Sequence, residues 1–218
     1  MRSDRELQED VLKALEFEPG VDAAKIGVSI KNGIATLQGS VRSYFEKSAA
    51  ERVTRHVYGI RAVANDVAVT LDGFGARTDS QIAEAVANAL AWDSAVPLNA
   101  VKATVTNGWV TLNGTLDWHY QRSAAQRAVD HLLGVKGVTN SIVLKPHVSP
   151  ADIKAKIENA FKRSAEVDSS HVKVEAHDGK VILTGTVKSL SERDEAELAA
   201  WSAAGVKTVD DRISVSPF

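Results

Sequence analysis

The residues best able to ligate a metal or move a proton near neutral pH are six histidines, His56, His119, His131, His147, His171 and His177, and the chain has no cysteine. Without cysteine there is no thiolate ligand, no disulfide and no sulfur nucleophile. The histidines do not fall at any shared spacing, and the nearest two on one extended run, His171 and His177, would stand roughly 20 Å apart. Serines accompanied by His and Asp occur, but there is no G-x-S-x-G elbow and no phosphate-cradling glycine loop. These patterns predict no catalytic group, no metal and no cofactor. What remains is the chemistry of contact. Tyr44 and Phe45, and Trp118, His119 and Tyr120, open two equivalent loops, and Trp109 follows a tight turn. Side chains of this kind bury large areas while keeping a polar edge, which suits a protein partner or a phospholipid surface.

The elements that position these aromatics are repeated three times. Asn32-Gly33, Asn107-Gly108 and Asp178-Gly179 each lie between short β-patterned runs, the strongest local signal for a hairpin with a type I′ turn. The turn glycines are spaced 75 and 71 residues apart. A second glycine follows each after six residues, at Gly39, Gly114 and Gly185, and a third after twenty more, at Gly59, Gly134 and Gly205. Each copy begins with a helix-capping pattern, Ser3-x-x-Glu6, Thr78-x-x-Gln81 or Ser149-x-x-Asp152. Apolar stripes follow at Leu7, Val11 and Leu15, at Ile82, Val86 and Leu90, and at Ile153, Ile157 and Phe161.

Past the hairpin, Ser43-x-x-Glu46 and Ser189-x-x-Glu192 start a second helix, which ends at the third glycine. A last strand then runs through Val63, Val67 and Val69 or their equivalents. The order is helix, strand, strand, helix, strand. The predicted fold is α+β: three tandem αββαβ modules, 1–72, 78–146 and 149–218, each with two helices on one face of a three-stranded mixed sheet. Gly39, Gly114 and Gly185 are expected on the inward face of the middle strand, where a missing side chain would let a helix approach. The joints Asp72-Gly73-Phe74-Gly75 and Pro146-His147-Val148-Ser149-Pro150 are short, the first being the more flexible by composition. Modules of about 70 residues sit near the lower limit for a self-sufficient core, so the copies should lean on one another.

With 26 basic and 28 acidic residues the net charge is -2, and no copy has a basic excess. That argues against nucleic acid. No run approaches the ~20 apolar residues of a membrane span. Met1-Arg2-Ser3-Asp4-Arg5-Glu6 places acidic residues where a secretory signal would be apolar. The expectation is a cytoplasmic protein, or a periplasmic one if an export signal has been trimmed. Comparing the copies maps exposure: Trp109 matches Ile34 and Lys180, Trp118 matches Ser43 and Ser189, Trp92 matches Phe17 and Arg163, and Trp201 matches Arg55 and Asp130. A position polar in one copy should be exposed in all. The aromatics then serve either packing between modules, which the small module size favours, or an external ligand.

The S/T-x-x-acidic helix start, the [ND]-G turn, L-x-G and G-V-x-x-V-x-[ND], as in Gly134-Val135-Lys136-Gly137-Val138-Thr139-Asn140 and Gly205-Val206-Lys207-Thr208-Val209-Asp210-Asp211, resemble the BON domain in three copies. The resemblance implies a bacterial αββαβ protein linked to osmotic or envelope stress. It also implies non-enzymatic binding of phospholipid or other large partners, with potassium or another small ion as an alternative ligand.

Overall fold

A computed structural model describes residues 2–71, 76–145, 153–163, 171–203 and 205–216. The capping pattern at Ser149, residues 72–75 of the first joint and the whole of the second joint lie outside the described residues. The first module runs α1 (Asp4–Phe17), β1 (Ile26–Lys31), β2 (Ile34–Val41), α2 (Tyr44–Arg55) and β3 (Ala62–Val69). The second runs α3 (Asp79–Trp92), β4 (Val101–Thr106), β5 (Trp109–Leu116), α4 (His119–Asp130) and β6 (Gly137–Leu144). The third runs α5 (Ile153–Arg163), β7 (Val172–His177), β8 (Lys180–Val187), α6 (Leu190–Ser202) and β9 (Thr208–Val215).

In each sheet the middle strand pairs antiparallel with the strand before it and parallel with the strand that follows the second helix. The helices exist because their apolar stripes have a sheet to cover. Leu7, Val11 and Leu15 of α1 are buried, as are Ile82, Val86 and Leu90 of α3 and Ile153, Ile157 and Phe161 of α5. They meet alternate residues of the middle strands, such as Ala35 and Leu37 or Val110 and Leu112. Each such fully buried Leu or Val is worth about 1.5–3 kcal/mol of transfer free energy.

The hairpins turn as the sequence requires. Asn107 and Gly108 have φ of 53° and 81°, the left-handed pair of a type I′ turn. Their amides are held by a group that sequence reasoning missed: both donate to the Asp79 carboxylate at the start of α3, each at 2.8 Å. Asp4 does the same for Asn32 and Gly33. The terminal [ND] of the repeat pattern also acquires a mechanical role. Asn65 donates to the Lys47 carbonyl and to Glu51, and Asn140 donates to the Arg122 carbonyl and to Gln126. Asp211 instead accepts from Arg193 at 2.6 Å. All three tie the last strand of a module to its second helix.

The reason expected for Gly39, Gly114 and Gly185 needs correction. Gly39 is exposed rather than inward-facing, and the backbone nearest it belongs to Lys25, the last residue of the short 3-10 turn Ala23–Lys25 that leads into β1. Its φ is +135°, and a Cβ there would overlap the Lys25 carbonyl oxygen just before β1. Gly114 and Gly185 stand in the same relation to the carbonyls of Ala100 and His171. The glycine lets the backbone of the neighbouring strand close in, which alternation along one strand does not reveal.

Candidate functional site

The three second helices meet in a directional cycle. Tyr44, His119 and Leu190 occupy one repeat position, in the first turn of α2, α4 and α6; Arg55, Asp130 and Trp201 occupy another, in the last turn. At the joint of modules 1 and 2, Tyr44 rests on the core of the second module, beside Asp130. Phe45 lies over His131 with ring centroids 4.6 Å apart. Between modules 2 and 3, His119 stacks on Trp201 at 4.9 Å, and Arg122 sits 4.5 Å from the same ring. Between modules 3 and 1, Arg55 forks onto Asp194, one turn beyond Leu190. In each case the start of one helix meets the end of the next, so a head-to-tail interface closes after three modules. Trp201 packs against the cores on both sides, and the cores of modules 1 and 3 are contiguous.

The joints carry distinct electrostatics. Burial, with Arg122 adding repulsion, lowers the His119 pKa to about 4. Burial raises the Asp130 carboxyl to about 6 against the pull of His131 and Arg127, and its Oδ1 is buried with no hydrogen-bond partner among the described residues. Burial also pushes the Tyr44 phenol up, with Asp130 and Glu51 adding to the effect.

Three of the six aromatic candidates, Tyr44, Phe45 and His119, are therefore engaged in module joints. The other three keep exposed faces. Trp109 is 50% exposed, its indole N–H donating to Thr139 at 2.8 Å and its ring lying over Gly137. Trp118 and Tyr120 are 38% and 58% exposed at the entry to α4. Two aromatics that were not singled out are more exposed still: Phe17 at 90% and Trp92 at 88%, at the last turn of α1 and α3. The pairing of Val101 with Gly114 brings the start of β4 beside the end of β5. Trp92, the exposed Leu98, Trp118 and Tyr120 thus share one end of the second module. Charged neighbours at that end are Asp93, Lys102 and Asp117, the last paired with Lys145 at 3.4 Å. The end is apolar and carries no cationic excess. Among the described residues no group of His, Asp or Glu could hold a metal ion, and no helix is long and apolar enough to cross a membrane.

The architecture defines a class: three αββαβ modules, each held by the same glycine turns and asparagine or aspartate ties, closed head to tail through their second helices. The chain belongs to the BON domain family, whose model matches residues 3–70, 78–146 and 149–217. It is 35% identical over 143 residues to the osmotically-inducible protein Y of Escherichia coli (strain K12), an alignment spanning 60% of this chain and 69% of that protein. Among solved structures, CdsD, a structural protein of the type III secretion system of Chlamydia trachomatis, overlaps 98% of this chain and 93% of its own at 14% identity and a TM-score of 0.28. The C-terminal domain of CdsD overlaps 99% of this chain and all of its own at 15% identity and the same score. Superpositions at that level leave the arrangement of the modules to be argued from this chain's own contacts.

Proposed function

We propose that this protein is a non-enzymatic binding or scaffold protein with a role in osmotic stress, and that it engages a protein partner through the aromatic end of its second module. The relationship to an osmotically inducible protein supports the first part. The observation that carries the second is the grouping of Trp92, Leu98, Trp118 and Tyr120, exposed at 88, 72, 38 and 58%, on one end of one module. Exposed aromatics of this kind are the usual anchors of a protein interface. A surface for anionic phospholipid would set an excess of Lys and Arg beside the apolar residues, whereas here Lys102 and Lys145 are matched by Asp93 and Asp117.

The test compares wild type with Trp118→Ala/Tyr120→Ala in two assays. In vesicle co-sedimentation with anionic and neutral lipids at low and moderate salt, neither protein is expected to sediment. In affinity capture from osmotically shocked cells, wild type is expected to retain a defined partner in high salt, and the double variant to lose it at least tenfold. Salt-sensitive sedimentation with anionic vesicles that the variant loses would overturn the protein-partner reading and establish a membrane surface instead.

A further inference from the structure

We infer that the cleft where the three modules meet is a binding site for a nucleoside monophosphate, with the base on Trp109 and the phosphate on Lys47 and Lys136. Its volume is about 400 Å³. That lies inside the roughly 300–1,000 Å³ of pockets that take small molecules, and such pockets favour the junctions between domains. Module 1 contributes Tyr44 and Lys47 from α2, module 2 contributes Trp109, Gln126 and Lys136, and module 3 contributes Asp194. No sequence motif marks the cleft because its parts come from three modules.

The aromatic part is set in advance. The Trp109 indole N–H donates to Thr139 at 2.8 Å, and the ring lies over Gly137, where any side chain would collide with it. One face is thereby seated on the sheet, while half of the residue stays exposed at the cleft. A ring held in one pose loses little freedom when a planar base stacks on it. The sister modules lack this arrangement: Trp109 is replaced by Ile34 and Lys180, and Gly137 by Ala62 and Thr208.

The charges of the cleft divide into paired and unpaired. Arg55 pairs with Asp194 and Arg52 with Glu18, while Glu51 accepts from Asn65. Among the described residues, the ammonium groups of Lys47 and Lys136 make no ion pair or hydrogen bond. The counterparts of Lys47 in the other modules are engaged: Arg122 lies against the Trp201 ring and Arg193 bonds Asp211. The Lys136 stem lies over the turn glycine Gly108, one residue before Trp109. Counting Lys and Arg against carboxylates, four basic side chains face two acidic ones, an excess of two positive charges. A phosphate monoester carries about −1.5 to −2 near neutral pH, which matches that excess. A nucleic-acid strand would need a cationic track extending past one nucleotide, and the remaining arginines of the cleft are paired.

Isothermal titration calorimetry of the full-length protein with adenosine and guanosine 5′-monophosphates at low salt tests this, with adenosine and inorganic phosphate as half-ligands. Both nucleotides are expected to bind at one site per chain, and each half-ligand roughly tenfold more weakly or worse. Lys47→Ala/Lys136→Ala is expected to weaken the nucleotides by roughly tenfold or more and to leave adenosine unchanged. Trp109→Ala is expected to weaken nucleotides and adenosine by a similar factor and to leave phosphate unchanged. The two lysine ends lie at the surface, so the lysine variant keeps its fold even if the tryptophan variant does not, and circular dichroism checks both. Trp118→Ala/Tyr120→Ala is expected to bind like wild type, which separates this cleft from the aromatic end of the second module. Absence of nucleotide binding, phosphate bound as tightly as the nucleotides, or binding that the lysine variant leaves unchanged overturns the inference.

Discussion

Gly39→Ala is expected to lower the stability of the first module by about 3 kcal/mol or more. At φ +135° an L-residue is strained whatever its surroundings, and the added Cβ would overlap the Lys25 carbonyl, which is backbone and has little freedom to move. Relief would require parting β1 from β2, where Gly39 pairs with Ile26. Gly27→Ala serves as the control. Its φ is outside the left-handed region, and the nearest heavy atom to a new Cβ is the Gln38 carbonyl at an ordinary 3.7 Å. That variant is expected to stay within about 0.5 kcal/mol of wild type. Urea denaturation followed by circular dichroism measures both. A Gly39→Ala protein as stable as wild type would remove the close strand approach from the account of the repeat.

Trp201→Ala is expected to cost on the order of 2–3 kcal/mol at pH 7, less than a fully buried Trp because the ring is half-buried. The indole packs against the cores of modules on both sides, stacks on His119 and lies beside Arg122. Its loss also has a pH signature. Native His119 takes a proton only near pH 4, whereas the unfolded chain takes it near the ordinary 6.5. The stability that comes with holding it neutral is therefore complete above pH 6.5 and is lost as pH falls toward 4. Uncovering His119 returns its pKa toward 6.5 and removes that slope from the variant. The stability difference between the two proteins is expected to be widest at pH 7 and to narrow by pH 4. Asp130, raised to about 6, gives the opposite slope in both proteins and cancels from the difference. A difference independent of pH would mean that Trp201 does not bury His119.

The module was legible in the sequence because its constraints are local. A type I′ turn demands Asn-Gly or Asp-Gly, a capping box demands Ser or Thr three residues before Glu or Gln, and buried stripes repeat with the helix period. Asn107-Gly108 and the Thr78–Gln81 box fold as those rules require. The joints were not legible in the same way. Comparing copies marked Trp201 as exposed because its equivalents are Arg55 and Asp130, but all three positions lie at module joints, where an aromatic stack, an ion pair and a part-buried carboxylate do the same mechanical task. Polar identity reports solvent only when no other module covers the position. The clamp of Asp4 and Asp79 on the turn amides escaped notice because the residues it joins lie 28 and 29 positions apart, on different elements. Trp92 and Phe17 were recognised as tolerant positions, yet only the register of β4 on β5 places Trp92 at the same end as Trp118 and Tyr120.

The closed cycle of modules is the claim on which the rest depends, and small-angle X-ray scattering of the wild-type chain tests it most directly. Closure of all three joints is expected to give a radius of gyration of roughly 17–19 Å, near that of a compact single body of this length, unchanged between low and high salt. A value of about 25 Å, or one that grows with salt, would describe modules strung in a line and contradict the cycle.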